Sequence, residues 1–441
     1  MSYNIGMISL GCAKNRTDSE IMLGILSERG HNLVSDPSEA DVIIVNTCGF
    51  IEAAKQESID TILEMAEYKS GRCKLLIATG CLAERYNEEV LKEFPEINAV
   101  VGVGDYHNIA DIIDKAEKGE RPALYGHMNV EIPEGLPRLV TTGGTSAYIK
   151  ISEGCNNNCT YCAIPKIRGK YRSRPMEDIV DEAKSLADSG VKELIVIAQD
   201  TTRYGIDLYG EFSLAKLLKK LCAIEKLRWV RVHYFYTEAI TDELIEVFKE
   251  EEKLCPYIDM PIQHIDDTIL RRMARRTNGA QIRKRIEDIR NSVPDVTIRT
   301  SIIVGFPGET QAQFDSLKEF IKEAKLDRVG VFKYSAEEGT PAAEFEGQID
   351  EGIKELRYNT LMEIQSKISL ERNKEKLGKV IEVLCEGYDS ESYLYYGRSK
   401  ADSIDVDGLV YFAAQDEVMP GEFVMVEILD CDEYDLTGKT V

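Results

Sequence analysis

Three cysteines fall within eight residues, in Ser152-Glu-Gly-Cys155-Asn-Asn-Asn-Cys159-Thr-Tyr-Cys162-Ala163. With three residues between the first two and two between the second pair, the thiolates can converge on one inorganic centre. A 4Fe–4S cluster ordinarily takes four cysteines, one per iron, so a triad leaves one iron open to bind and react. A structural zinc site asks for a fourth ligand, usually from a second Cys-x2-Cys or from histidines. Only five His occur in 441 residues, and none lies within 20 positions of the triad. The expectation is a reactive cluster at Cys155, Cys159 and Cys162.

A second triad is spread over the first eighty residues. Cys12 ends Ile8-Ser-Leu-Gly-Cys12, Cys48 ends Val45-Asn-Thr-Cys48, and Cys81 ends Ala78-Thr-Gly-Cys81. Each follows an apolar run and stands near a glycine. If those runs are strands of one parallel sheet, all three thiols lie at its carboxyl edge, where open α/β sheets bind ligands. The alternative is three unrelated core thiols, since free Cys is among the most buried residues. Three strands ending alike favours a second metal site. Cys73, Cys222, Cys255, Cys385 and Cys431 show no such pattern and read as core residues.

The elements that must position these groups alternate. Over 1–126, short apolar strands (Asn4–Leu10, Asp41–Val45, Leu75–Ala78, Ala99–Val103) are interleaved with helices at Thr17–Arg29, Ala53–Tyr68 and Glu84–Glu93. This is the pattern of a Rossmann-like parallel sheet with crossover helices. Residues 127–144, with Pro133, Pro137, Gly135, Gly143 and Gly144, read as a linker. Over 145–373 six further strand–helix units predict a partial (β/α)6 barrel, shorter than the ~250 residues of a closed eight-unit barrel. A long polar helix, Ile353–Leu377, leads out of it. Residues 374–441 predict a small antiparallel β-barrel of the oligonucleotide-binding type, with strands at Val380–Cys385, Tyr393–Gly397, Gly408–Phe412 and Phe423–Leu429. The fold class is α/β with this all-β appendage.

Composition narrows the partners. The formal net charge is −23, which argues against a general nucleic-acid coat and suits a basic protein partner. The last segment, 374–441, carries 6 Lys and Arg against 16 Asp and Glu, a net of −10. No basic-then-apolar leader is apparent, and no apolar run is long enough to span a bilayer. The chain reads as cytoplasmic, where eleven cysteines are better metal ligands and buried thiols than disulfides.

The Cys155/Cys159/Cys162 spacing resembles the signature of the radical S-adenosylmethionine enzymes. The contexts of Cys12, Cys48 and Cys81, with Glu153-Gly-Cys-Asn and Arg168-Gly-Lys-Tyr-Arg-Ser-Arg-Pro175, resemble their methylthiotransferase branch over essentially the whole chain, including a C-terminal domain similar to TRAM. Ala198-Gln-Asp-Thr-Thr-Arg-Tyr-Gly205 and Pro261-Ile-Gln-His264 are similar to the RimO group in particular. The resemblance implies methylthiolation of the β-carbon of an aspartate in ribosomal protein S-twelve. The alternative within the branch is a tRNA adenosine 2-methylthiotransferase. It implies two 4Fe–4S clusters, one per triad, and S-adenosylmethionine both as radical source and as methyl donor, with an electron donor such as flavodoxin or ferredoxin. It further places Tyr161 near the adenine, and Ser301 and Glu309 of Ser301-Ile-Ile-Val-Gly-Phe-Pro-Gly-Glu309 against the adenosyl moiety. Gln199, Asp200 and Gln263 stand at predicted strand ends facing the site. The basic runs Lys166–Arg174 and Arg271–Arg276 read as solvated surface, or as contacts to the methionine carboxylate or ribosomal RNA.

Overall fold

The computed structural model describes residues 2–130 and 133–441, so two positions of the predicted linker, 131 and 132, lie outside the described residues. The first unit contains β1 (Asn4–Ser9), α1 (Ala13–Glu28), β2 (Asn32–Val34), β3 (Val42–Thr47), α2 (Glu52–Glu67), β4 (Leu75–Gly80), α3 (Cys81–Glu93), β5 (Ala99–Val101), α4 (Ile109–Glu117) and β6 (Ala123–Leu124). Its six strands form one parallel sheet in the order β2-β1-β3-β4-β5-β6. Every residue of β3 and β4 is buried, as expected for central strands covered by helices on both faces.

The sequence expectation omits β2, α4 and β6. The two strands are three and two residues long, too short to show a period. α4 carries Ile109, Ile112, Ile113 and Ala116 at helical spacing and was legible. α1 begins at Ala13 rather than Thr17. Its first turns hold buried Asn15, Thr17, Asp18, Ser19 and Glu20, so the apolar stripe that marks a helix is absent there.

The second unit contains β7 (Ser146–Lys150), β8 (Ser152–Glu153), α5 (Ile164–Ile167), β9 (Arg172–Ser173), α6 (Met176–Asp188), β10 (Glu193–Ile197), α7 (Leu214–Cys222), β11 (Trp229–Val232), α8 (Asp242–Glu250), β12 (Tyr257–Asp259), α9 (Asp267–Arg272), α10 (Gly279–Ser292), β13 (Thr297–Val304), α11 (Gln311–Ala324), β14 (Arg328–Lys333) and α12 (Glu351–Lys374). The parallel sheets β7-β10-β11 and β12-β13-β14 join through a bridge between Val230 and Leu254. There the Val230 N–H donates to Lys253 O and the Cys255 N–H to Val230 O, both at 2.8 Å. The result is an open six-stranded arc. Residues alternate across each strand: Ile149, Val196 and Val230 pack outward on the helices, while Tyr148, Ile195 and Ile197 point into the arc.

The last unit is a closed five-stranded barrel in the order β15-β16-β17-β19-β18, where β15 is Val380–Asp389, β16 Leu394–Ser399, β17 Val410–Ala413, β18 Phe423–Cys431 and β19 Leu436–Thr440. It is antiparallel except where the unanticipated β19 pairs parallel with β17.

This barrel docks on the amino ends of the arc's strands. Glu193, at the start of β10, is fully buried between Arg231 at 2.8 Å and Arg398 at 2.6 Å. Tyr257 donates to Asp407 at 2.6 Å, Trp229 Nε1 to Glu382 at 3.1 Å, and Arg328 pairs with Asp402 at 2.8 Å. The loop between β16 and β17 enters the arc and packs Ile404 with Tyr148, Ile195, Ile197 and Tyr234. The lower mouth is thereby filled, and the carboxyl ends of the strands remain for chemistry.

Glu193 gives the first testable consequence. Burial alone would raise its carboxyl, but Arg398 and Arg231 overcome that and hold it down at about 2. Its contribution to stability is present above the ordinary value of 4.5 and is lost as pH falls through about 2. Glu193→Ala leaves Arg231 buried without a carboxylate and Arg398 with only Glu386 at 2.7 Å, and should cost about 3–5 kcal/mol. Chemical denaturation at neutral pH reads this, and a loss below about 1 kcal/mol would show that the barrel docks without the pair.

Candidate functional site

The three amino-terminal thiols follow adjacent strands. β1, β3 and β4 are neighbours in the sheet, and Cys12, Cys48 and Cys81 come just past their carboxyl ends. Neighbouring strands lie about 4.8 Å apart, so the topology alone gathers the three. Glycines allow the loops to close on one another. Gly11 has φ +84°, and a Cβ there would meet Cys48 Cβ at 2.9 Å and Sγ at 3.1 Å. Cys12 is the N-cap of α1 and Cys81 the first residue of α3, so both helix dipoles favour their thiolates. Cys12 is exposed, while Cys48 and Cys81 are buried. Burial, against the pull of Arg168, pushes Cys81 up to about 12, and the charges of Cys12 and Cys48 add to the rise. Buried thiols that crowd one another in this way ionise only when a cationic centre is bound to them.

The second triad sits on the loop after β8, at the carboxyl end of the arc. The Cys155 N–H donates to Gly169 O at 3.1 Å, and the Cys162 N–H to Cys159 O at 3.1 Å. The Asn157 N–H points at Cys155 Sγ at 3.4 Å. Arg275, buried against the ring of Tyr236, has Nη1 3.9 Å from Cys159 Sγ. Burial pushes Cys155 up to about 11 and raises Cys162 further, and in both the charge of Cys159 adds to the rise. Among the described residues no three His, Cys, Asp or Glu side chains group tightly enough to hold a single metal ion. A cubane is different, because it takes one iron per thiolate and holds its ligands farther apart than one ion does. The donor set, three thiols on one short loop, fits such a cluster.

One buried network links the two triads. Arg168 donates to Asn15 Oδ1 at 2.6 Å, and that oxygen is 3.5 Å from Cys81 Sγ. Arg168 also pairs with Asp18 at 3.1 Å and Glu153 at 3.0 Å, and Lys150 pairs with the same carboxylates at 2.5 and 2.7 Å. Two cations and two anions balance at 5% exposure or less. Burial would raise Glu153, but Arg168 and Lys150 hold it far below the usual carboxylate range. Glu153 is two residues from Cys155. The first unit therefore contributes Asn15 and Asp18, and the arc contributes Lys150, Glu153 and Arg168, to one polar seam.

The remaining predicted residues divide. Gln199 donates to Glu153 Oε1 at 2.8 Å, with its own buried Oε1 left without a hydrogen-bond partner. Asp200 is fully buried; it accepts from Asn157 at 2.8 Å and from Thr202 at 2.5 Å, and so holds the cysteine loop. Tyr161 packs with Met273, Phe306 and Tyr334, which brings the loop against the Gly305–Glu309 turn. Gln263 is held at φ +71°, a strained conformation typical of functional positions, and its N–H donates to Ser301 O at 2.9 Å. Ser301 is half-buried on β13. Glu309 Oε2 accepts from the Gly305 N–H and pairs with Arg357 of α12 at 3.1 Å, while its buried Oε1 lies 3.5 Å from His264 Nε2.

The surface reading of the first basic run is corrected. Arg168 is buried, and Arg174 is nearly so, paired with Asp178 and Glu182 at 2.5 and 2.6 Å. Arg168 is claimed by Asp18, 150 positions away, which spacing cannot reveal, whereas the Arg174–Asp178 pair is an i,i+4 contact. Sequence reasoning also missed Lys14, Asn15, Asp18, Lys150 and Asn157. Their signal was polar side chains at Asn15 and Asp18, three apart, where a core-facing helix stripe should be apolar.

Comparison with known proteins decides the family. Residues 4–102 match the uncharacterized protein family UPF0004, residues 149–321 the radical SAM superfamily, and residues 377–441 the TRAM domain. A ribosomal protein uS12 methylthiotransferase RimO from Thermoanaerobacter sp. (strain X514) is 52% identical over 436 residues, 99% of each chain. One from Clostridium botulinum (strain Eklund 17B / Type B) is 54% identical over 439 residues, 99% of this chain and 98% of that one. The chain belongs to the RimO family. It is an enzyme, a methylthiotransferase of the radical S-adenosylmethionine superfamily, which implies a 4Fe–4S cluster and S-adenosylmethionine. Solved structures agree on the fold alone. The radical S-adenosylmethionine methyltransferase TsrM from Kitasatospora setae aligns with a TM-score of 0.54 at 12% identity, covering 75% of this chain and 73% of that one. The cobalamin-dependent S-adenosylmethionine radical enzyme OxsB also gives 0.54 at 12% identity, covering 83% and 56%. No helix among the described residues is long and apolar enough to cross a membrane.

Proposed function

We propose that this RimO family member replaces one β-hydrogen of an aspartate in ribosomal protein uS12 with a methylthio group. The observation that carries the reading is the pair of cysteine triads meeting one buried polar seam, Asn15–Arg168–Glu153, from opposite units. In this reading Cys155, Cys159 and Cys162 hold one 4Fe–4S cluster and Cys12, Cys48 and Cys81 a second. Residues 1–126, 145–373 and 374–441 are the sulfur-supplying, radical-generating and partner-binding parts, joined by the linker 127–144. When bound, the cofactors supply an electron to cleave S-adenosylmethionine, a sulfur to insert and a second S-adenosylmethionine as methyl donor. Such chemistry is needed because a C–H beside a carboxylate is too weak an acid for a protein base.

The chain's own residues position and enclose. Asp200 and Asn157 fix the loop that carries Cys155. Tyr161, Gln199, Gln263 and Ser301 line the S-adenosylmethionine side, with Glu309 shaping the Gly305 turn beside them. The plugged lower mouth keeps water from the reacting atoms. The proposed setting is the cytoplasm, with a flavodoxin- or ferredoxin-like protein supplying electrons.

The substrate class rests on the relatives' name and on charge. The terminal barrel has a net charge of −10 and exposes Tyr388, Tyr393, Met425 and Tyr434 among its acids. That surface suits a basic protein and repels phosphates. The test offers the anaerobically reconstituted enzyme a uS12 loop peptide and a tRNA anticodon hairpin side by side. Methylthiolation of the peptide alone is expected; modification of the hairpin with the peptide untouched would overturn the assignment.

A further inference from the structure

The seam contains a cation that the charge balance does not use. Lys14, on the first turn of α1 two residues from Cys12, is 7% exposed. Its Nζ lies 3.1 Å from the centre of the Tyr234 ring. Among the described residues no carboxylate lies within salt-bridge distance of it and no hydrogen bond is made by it. The strongest charge acting on it is that of Cys12, and the neighbouring carboxylates are committed elsewhere. Lys150 and Arg168 are matched by Asp18 and Glu153. Asp259 is taken by Arg299 at 2.8 Å and by the Tyr234 N–H at 3.1 Å. Arg275, which also has no carboxylate partner among the described residues, stands beside Cys159. Burying an ammonium without an anion is costly, and a cation–π contact returns only part of that cost. Tyr234 is itself held at φ +65°, a strained conformation for a bulky residue.

Lys14 also sits where the substrate must come. The lumen below is filled by Ile404 and its neighbours, so approach is from the carboxyl ends of the strands. On the reading above, the β-carbon must reach both the Cys155 side and the Cys12 side. The carboxylate of the same aspartate is one bond from that carbon, and it enters a buried seam where the paired cations are already neutralised. We propose that Lys14 is the counter-ion of the substrate's aspartate carboxylate, and so the residue that selects aspartate over its neutral isostere. The inference rests on the aspartate reading of the substrate.

The test uses anaerobic holoenzyme without reductant, so that binding is read without turnover, and two fluorescent uS12 loop peptides that carry Asp or Asn at the target position. Wild type should prefer the Asp peptide by about 10- to 100-fold, the range of a hydrogen bond to a charged group. Lys14→Met should bring the two affinities together by weakening the Asp peptide, and Lys14→Arg should restore part of the preference. Iron and sulfide content of each variant is measured in parallel. A Lys14→Met protein that keeps the wild-type preference overturns the proposal, as does one that loses iron and both peptides equally, which would mark Lys14 as support for the Cys12 centre. Absence of any Asp preference in wild type would instead sink the aspartate reading itself.

Discussion

Cys159→Ala is expected to abolish formation of 5′-deoxyadenosine, by at least ~10³-fold, because the three ligands act as a unit and the loss of one is equivalent to the loss of all. The replacement removes a thiol from a loop that its neighbours hold in place. Asp200 still grips Asn157, and the Cys155 N–H still reaches Gly169 O. Fold and second triad should therefore persist, and the iron content should fall to about half, near four atoms per chain. The assay is anaerobic reduction with S-adenosylmethionine and chromatography of the nucleoside products. Cys222→Ala is the control. Cys222 is buried on the outer face of the arc, in the helix-packed core, so its loss should lower stability modestly and leave the nucleoside yield alone. Equal yields from Cys159→Ala and Cys222→Ala would remove the loop from the chemistry.

The second large effect is a split. Cys48→Ala should still cleave S-adenosylmethionine, within a few-fold of wild type, yet give no methylthiolated peptide. The separation follows from topology. Cys48 follows β3 of the first unit, whereas Cys155, Cys159 and Cys162 belong to the arc. The backbone of Cys48, not its thiol, exchanges hydrogen bonds with Ser58 at 2.9 and 3.0 Å, so alanine preserves the local fold. Cys48→Ala should lose the same half of the iron as Cys12→Ala, and combining Cys48→Ala with Cys159→Ala should leave none. Loss of nucleoside cleavage in Cys48→Ala would mean that the two centres are not separate.

These predictions hinge on residues that the chain announced early and on others that it concealed. Two of the triads' features were legible: the Cys155–Cys162 spacing, and the ending of three apolar runs in cysteine. The strands were legible because central parallel strands are continuous apolar runs, such as Val42–Val45. The seam was not. Lys14, Asn15 and Asp18 look like the wet face of a helix until the arc is packed against them, and Arg168 looks like one of a surface run until Asp18 and Glu153 surround it. Polar residues buried between units carry no periodic signature, since their partners in the other unit lie more than a hundred positions away. β19 was hidden for a related reason: its Leu436-Thr-Gly-Lys-Thr440 has one apolar side chain, and its place is set by pairing with β17 and β18.

The most direct check on the account is mass spectrometry of ribosomal protein uS12 from cells with and without this gene. The account predicts a single aspartate carrying one SCH3 in place of one hydrogen, present only when the gene is intact and absent when either Cys48→Ala or Cys159→Ala replaces it. An unmodified uS12 in the wild-type cells, or a methylthio group that persists without the gene, would contradict it.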